Sequence, residues 1–279
     1  MYASRAVLKN FRRESIILPG FIRVWVFLCF GVLEVHTPAF ILPFLDIETR
    51  AQGAHQNTKT RKYQNTKTHT YILMQPYVLG ICGGSGSGKT TFIRRLRERF
   101  ALSELCIVSQ DDYYLPRAEQ HKDDNDEYNF DLPQSFNKKK FRSDLLRLIS
   151  GKTVTIQEYT FNNPDAEPKL LVFQPAPIIV IEGLFVFHYK KIAPLLDLKI
   201  FINAKENLKV IRRIHRDQVE RGYPIEDVLY KYEHHVLPSF ERFIQPYKEE
   251  ADIVVNNNKD LEIGLSVVEG FLRNKLSEL

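Results

Sequence analysis

The sequence predicts an α/β chain built on a doubly wound, mostly parallel sheet. Three observations carry that expectation. Short apolar runs rich in β-branched residues recur over the last three-quarters of the chain: "YVLGIC", "ELCIVSQ", "PAPIIVIEG", "LDLKIFINA" and "DIVVNN". Between them lie stretches with apolar residues at helical spacing, such as Phe92, Ile93, Leu96 and Phe100. The run "PAPIIVIEG" is apolar without alternation, as expected of a strand covered on both faces.

Taken in order from Met74, "YVLGIC" reads as a buried strand and "TTFIRRLRERF" as the helix after it. "ELCIVSQ" is a second strand that ends in the acidic and aromatic cluster "DDYYLP". The long polar "AEQHKDDNDEYNFDLP" predicts a surface excursion over a site or an unstructured loop. "SFNKKKFRSDLLRLISG" is a helix with Gly151 as its stop, and "TVTIQEYTF" an extended strand or hairpin arm. After "PAPIIVIEG" and "LDLKIFINA" comes the charged helix "KENLKVIRRIHRDQVERG". "DVLYKYEHHVLPSFERFIQPYKEEA" predicts helical segments interrupted at Pro238 and Pro246. "DIVVNN" is the last strand and "DLEIGLSVVEGFLRNKL" the closing helix. In such a sheet, ligands bind beyond the C-terminal ends of the strands.

The stretch "GICGGSGSGKTT", residues 80–91, packs five glycines into nine positions. A flexible linker is excluded by its flanks, a strand before and a helix after. In that context it matches G-x-x-x-x-G-K-[ST], with Gly83, Gly88, Lys89 and Thr90 in the fixed places and Gly84, Ser85, Gly86, Ser87 and Thr91 completing the loop. Glycines let backbone N–H groups converge on phosphate oxygens, and the following helix adds unpaired donors and its dipole. Lys89 reaches the outer phosphates, and the Thr90 hydroxyl suits Mg²⁺. The expected ligand is a nucleotide phosphate with Mg²⁺.

Composition is ordinary for a globular protein, with 44% hydrophobic and 26% charged residues, and this excludes a wholly disordered chain. The net charge of +5 is concentrated at the N-terminus. Residues 1–73 hold ten Lys and Arg against four Asp and Glu, while the remainder holds 29 against 30. The body of the chain is therefore near neutral, and a nucleic-acid partner is not expected. Cys29, Cys82 and Cys106 lack metal-ligand spacing, which fits a reducing, cytoplasmic compartment.

Residues 1–73 differ from the rest. Pro19, Gly20 and Arg23 interrupt "SIILPGFIRVWVFLCFGVLEV", leaving only "VWVFLCFGVL" unbroken, shorter than the roughly 20 residues a spanning helix needs. No stable membrane association is expected. The polar stretch "ETRAQGAHQNTKTRKYQNTKTHT" is low in complexity and predicts disorder. Met74, the only methionine besides Met1, stands just before the first strand and opens a stretch of 206 residues. The favoured expectation is thus an extension over 1–73, disordered or from an over-long start, and a single domain over 74–279. A membrane-associating helix and a targeting segment are the alternatives.

Acidic residues stand beyond three strand positions: Asp111 after "IVSQ", Asp131 in "NFDLP" and Glu182 after "IIVI". Beside a phosphate loop such carboxylates hold Mg²⁺ or deprotonate a hydroxyl. Periodicity alone does not separate Asp111 from Asp112. Arg212, Arg213, Arg216 and Arg221 either form a solvated face with pairs such as Arg213–Asp217 and Arg216–Glu220, or clamp a phosphoryl group. Tyr113, Tyr114, Tyr159 and Phe161 either stack a base or fill core. His234 and His235 are adjacent on a helix, point apart and read as structural.

The ordered set "GGSGSGKTT", "SQDDYY", "NFDLPQSF", "EYTF", "IVIEGLFVF", "RRIHRDQVERG" and "VLPSFERFIQPYKEEADIVV" resembles the uridine kinase family of P-loop kinases, the uridine–cytidine kinase branch. The likeness spans Met74 to the C-terminus. It implies a P-loop nucleoside triphosphate hydrolase fold with a helical lid, and ATP-dependent phosphorylation of uridine or cytidine at the 5′-hydroxyl, in pyrimidine salvage. By the same resemblance Asp111 matches the catalytic base and Tyr114 and Asp131 match residues that hold the nucleoside. Tyr159 matches the aromatic beside the pyrimidine. Glu182 with Thr90, and Asp111 beside them, match the Mg²⁺ shell, and Arg213 and Arg216 match lid arginines that meet the ATP phosphates. Phe161, Asn163 and Arg221 complete the candidate acceptor set, and the family suggests a homo-oligomer. Departures lie on the acceptor side. Pro164 and Ala166 in "NNPDAEP" stand where a His and an Arg are common, Tyr223 for an arginine, and Lys231 for a glutamine. These departures keep two other expectations in view: a kinase of another small hydroxylated acceptor, such as a sugar phosphate or vitamin precursor, and an ATP-dependent switch protein.

Overall fold

The structure, a computed structural model, describes residues 12–18, 22–29, 32–36, 75–160, 167–219 and 222–279. The chain divides into two units, Met1–Thr66 and Lys67–Leu279. In the first, β1 (Arg12–Leu18), β2 (Ile22–Cys29) and β3 (Val32–His36) form an antiparallel meander. Trp25 of β2 stands opposite Ser15 on one side and His36 on the other. The apolar run weighed as a membrane-associating helix is therefore extended. The low-complexity stretch expected to be disordered lies outside the described residues. Among the described residues no helix is long and apolar enough to cross a membrane.

In the second unit, five short runs become β4 (Tyr77–Cys82), β5 (Leu105–Ser109), β10 (Ile178–Glu182), β11 (Leu198–Asn203) and β12 (Ile253–Asn256). They pair in parallel in the order β12-β11-β4-β10-β5, so the strand that leads into the glycine loop is central. Side chains alternate between the two faces. Leu79, Ile81, Ile178 and Val180 pack with Phe92, Ile93 and Leu96 of α1 (Lys89–Arg99) and with Leu265, Val268 and Leu272 of α6 (Glu262–Glu278). Val78, Cys82, Ile179 and Ile181 join the opposite cluster, with Phe141, Leu145 and Leu148 of α2 (Lys138–Ile149) and Phe240 of α5 (Leu237–Phe243). This is the doubly wound sheet the sequence predicts. Cys82 and Cys106 are buried free thiols.

The polar excursion is partly ordered by pairing. Its short strands β6 (His121–Lys122) and β7 (Tyr128–Asn129) are antiparallel, with Asp126 at positive φ in the turn. β8 (Val154–Gln157) pairs with β9 (Leu170–Phe173) as a separate hairpin. After β11 comes α3 (Glu206–Val219), then α4 (Ile225–Lys231).

One expectation needs correcting. The chain does not break at Pro238. α4 runs through a π-helical turn, Tyr232–Val236, straight into α5, and Pro238 lies in the first turn of α5. Proline lacks an N–H and its ring clashes with the carbonyl four residues back. A widened turn just upstream accommodates both defects without ending the helix. The second break holds, since Pro246 lies in a separate 3₁₀ turn, Gln245–Lys248.

Phe92 anchors the helix that follows the glycine loop and is fully buried. Phe92→Ala is expected to cost about 3–5 kcal/mol, read as a lowered midpoint in urea unfolding with an unchanged slope.

Candidate active site

The loop between β4 and α1 rests on backbone, and glycine is what allows it. Gly86 has φ 74°, and a Cβ there would lie 2.5 Å from the Lys209 carbonyl oxygen in α3. Gly88 has φ 101°, and its Cβ would lie 2.1 Å from Asn257 Nδ2. Both positions favour glycine by conformation and exclude larger residues by contact. Gly88 is the N-cap of α1 and offers no side-chain cap, so the amides of the first turn, Lys89, Thr90 and Thr91, keep their donors for an anion. Ser87 is buried, and its carbonyl accepts a bond from Asn257 Nδ2 at 2.8 Å. Lys89 Nζ folds over the loop, donating to the carbonyls of Gly83 at 2.8 Å and Gly84 at 3.2 Å. Burial pulls its pKa below the usual lysine value, against the attraction of Glu182, Cys82 and Asp111.

The acids converge on the same place. Glu182 ends β10 in register with Ile81 of β4 and Ser109 of β5. The Ser109 hydroxyl donates to Glu182 Oε1 at 2.5 Å and accepts from the Asp111 amide at 3.2 Å. One small side chain thereby sets both carboxyl-bearing residues. Burial, then repulsion from Asp111, pushes the Glu182 pKa up, with Lys89 opposing. Asp112 is pushed up to about 6 by burial, then by Asp111 and Glu158. The two neighbours therefore differ in degree: Asp111 is felt at Lys89 and Tyr114 and, more strongly than Asp112, at Glu182, whereas Asp112 lies near Glu158 and the backbone of Tyr159.

On the other side, the Tyr114 ring packs 4.0 Å from Phe136 and 5.2 Å from Tyr159. Its hydroxyl is raised well above the ordinary tyrosine value by burial, then by Asp111 and Asp131. Tyr113 turns into the core, with its hydroxyl donating to Asp144 at 3.3 Å. Asp131 Oδ1 is 3.9 Å from Arg213 Nη1, and the same nitrogen donates to Ser85 Oγ at 3.0 Å. Arg213 thus bridges the glycine loop and Asp131.

The arginine helix is not the solvated face of the simpler reading. Arg213 and Asp217 are both buried. The expected pair Arg213–Asp217 forms at 3.1 Å. Arg216 takes Asp217 as well, at 2.9 Å, while Glu220 lies outside the described residues. Phe161, Asn163, Arg221, Pro164 and Ala166 also lie outside them. Two of the departures meet: Lys231 Nζ lies 5.2 Å over the ring of Tyr223. His235 Nε2 faces Asp123 Oδ2 at 2.7 Å and ties the polar excursion to the π-helical turn.

Three residues at the site escaped the sequence reading. Ser109 and Asn257 are polar residues at strand ends, the same signal that exposed Glu182. Lys209 is buried four residues before Arg213 on the same face of α3, with its Nζ over the Phe240 ring at 3.5 Å and paired to Glu206 at 2.7 Å.

Residues 78–263 match the model of the phosphoribulokinase/uridine kinase family. The chain belongs to that family. It is a kinase, a phosphotransferase with an alcohol group as acceptor, and the family implies ATP as donor. The kinase is 33% identical over 206 residues to uridine kinase-like protein 5 of Arabidopsis thaliana, covering 74% of this chain but only 44% of that one. It is 33% identical to the uridine kinase of Borrelia duttonii, covering 72% of this chain and 96% of the relative. It is 30% identical to uridine-cytidine kinase B of Dictyostelium discoideum, covering 73% and 84%.

Two outcomes are expected from this geometry. Asn257→Ala strands the buried Ser87 carbonyl, costs about 1–3 kcal/mol in denaturant unfolding, and weakens ATP binding in titration calorimetry. A carboxyl whose folded pKa is raised binds its proton more tightly when folded, so stability falls as pH rises from the usual carboxylate range through the raised value. Glu182→Gln removes that loss, and the nucleotide-free protein should melt about 2–4 °C higher at pH 8, with the gain gone by pH 4.

Proposed function

We propose that this kinase transfers the γ-phosphoryl group of ATP to the 5′-hydroxyl of uridine or cytidine, yielding the 5′-monophosphate and ADP. The observation that carries the reading is the junction at Arg213, one side chain between the phosphate loop at Ser85 and the acceptor-side acid Asp131. A donor cradle and an acceptor acid so joined suit transfer to a bound alcohol. The names of the Borrelia and Dictyostelium relatives support a pyrimidine ribonucleoside as that alcohol.

In this reading the loop amides, Gly83 to Thr91, and Lys89 hold the triphosphate. Asp131 and Tyr114 hold the sugar, and Tyr159, with Phe161 and Asn163, borders the base. Arg221 is assigned to the acceptor side. Asp111 accepts the hydroxyl proton as the oxygen attacks in line. Arg213, Arg216 and Lys89 stabilise charge on the equatorial oxygens from fixed positions.

The donor set also fits Mg²⁺. Glu182 is a carboxylate beside a second acid, and among the described residues no group of three or more His, Cys, Asp or Glu is arranged to cage a metal alone. Mg²⁺ characteristically takes one or two carboxylates and completes its shell with water and phosphate. Thr90, Glu182 and Asp111 are the residues that would hold it. Bound there, it would neutralise charge on the phosphate oxygens.

Lys89→Ala and Asp111→Asn should each lower kcat by at least about 10²–10⁴-fold, followed by ADP release, with urea midpoints close to that of the parent. An Asp111→Asn variant with most of its activity removes that residue from the base role. Across a panel of nucleosides, sugar phosphates and hydroxylated vitamin precursors, uridine and cytidine should give the highest kcat/KM. Silence on every nucleoside, or ATP hydrolysis that is as fast without an acceptor, overturns the proposal.

A further inference from the structure

Asp217 is one of the least exposed charged residues described, at 3%. Its two oxygens are divided between two arginines. Oδ2 is 3.1 Å from Arg213 Nε, and Oδ1 accepts from Arg216 Nε at 2.9 Å. Arg216 is hydrogen-bonded through its Nε edge, while Arg213 meets the carboxylate as an ion pair without a hydrogen bond from Nε. A guanidinium presents its donors in a rigid planar fork, so fixing one edge restricts the direction of the others. Arg213 is fixed at its other end, where Nη1 donates to Ser85 in the phosphate loop at 3.0 Å.

The Arg216 contact is the more telling. Residues four apart share a helix face, but adjacent residues diverge. Arg216 and Asp217 are adjacent, and the carboxylate still accepts from Arg216 Nε at 2.9 Å. The Arg216 charge is felt at Lys89, whose pKa it helps to lower. The backbone joins in as well, because the Asp217 carbonyl accepts from the Tyr223 amide at 3.0 Å where Gly222 turns the chain at φ 69°. The residue that aims the arginines also closes the end of their helix.

We propose that Asp217 is a positioning residue of this kinase: by pairing with Arg213 and hydrogen-bonding Arg216 through one buried carboxylate, it holds the two guanidiniums as a preset fork for the transferring phosphoryl group. It acts through the arginines and touches neither substrate. Without it, two long side chains would have to be ordered at each turnover, at an entropic cost to the transition state. The inference rests on the donor-side reading above, with the arginines directed at the phosphates.

The test compares the full chain with Asp217→Asn, which keeps the shape and loses the charge. ADP binding is measured alone and then with magnesium and aluminium fluoride, a mimic of the phosphoryl group in flight. Transition-state mimics bind far more tightly than ground-state ligands when the fork is preset. In Asp217→Asn the extra tightening should fall by about 10–100-fold, with ADP affinity alone within about twofold. kcat should fall in parallel while the acceptor KM stays put, and Asp217→Glu should recover part of both. A residue with only a structural role would lower the melting temperature and leave the tightening intact, and that result overturns the proposal. If the asparagine variant does not fold, Asp217→Ser serves the same comparison. A parent protein that gains no affinity from aluminium fluoride sinks the donor-side reading instead. Equal tightening in parent and variant sinks Asp217 alone.

Discussion

The site is built on a close approach: a loop laid directly on the backbone of a helix and on a buried amide. Gly86 sits where any side chain would strike the Lys209 carbonyl, and Gly88 where it would strike Asn257. These two contacts set the height and tilt of the loop, and hence the direction of the α1 amides. The same α3 that supports the loop from below carries Arg213 to its rim, where Ser85 meets it. Support and clamp are thus parts of one helix, so the phosphate cradle and its arginines keep their distance without a separate device.

Around that frame the electrostatics are deliberately unbalanced. Glu182 and Asp111 share Ser109 as a hydrogen-bonding partner, repel each other, and have Lys89 as the nearest compensating cation. An arrangement that raises the Glu182 pKa is a cost to the folded state with no return in stability. Strain of this kind is characteristic of sites that gain their compensation from a ligand. The buried lysine over the Phe240 ring, by contrast, is paired within the protein.

What could be read beforehand follows from how narrowly each feature constrains its residues. The glycine loop was legible because few residue types tolerate its backbone, and Glu182 because a charge rarely ends a wholly apolar strand. The doubly wound sheet followed from uninterrupted apolar runs. Pro238 misled because a proline normally ends a helix, and the π-helical turn that absorbs it leaves no periodic trace. The α3 face was left open between two readings. A row of arginines and acids has one composition whether solvated or buried, and only packing against the loop separates the two. Ser109 and Asn257 were overlooked because a polar residue after a strand is ordinarily a turn. Phe161, Asn163 and Arg221 remain proposals drawn from resemblance, and the acceptor side was the less legible half.

The bond from Asn257 to Ser87 spans 170 residues. During synthesis the glycine loop leaves the ribosome early, with its central strand but without the neighbours that flank it. β10 and β11 come later, and the amide that braces the loop comes after those. Domains tend to fold as units once their long-range partners are available. The phosphate loop of the nascent kinase therefore lacks this brace until the chain has been made as far as Asn257.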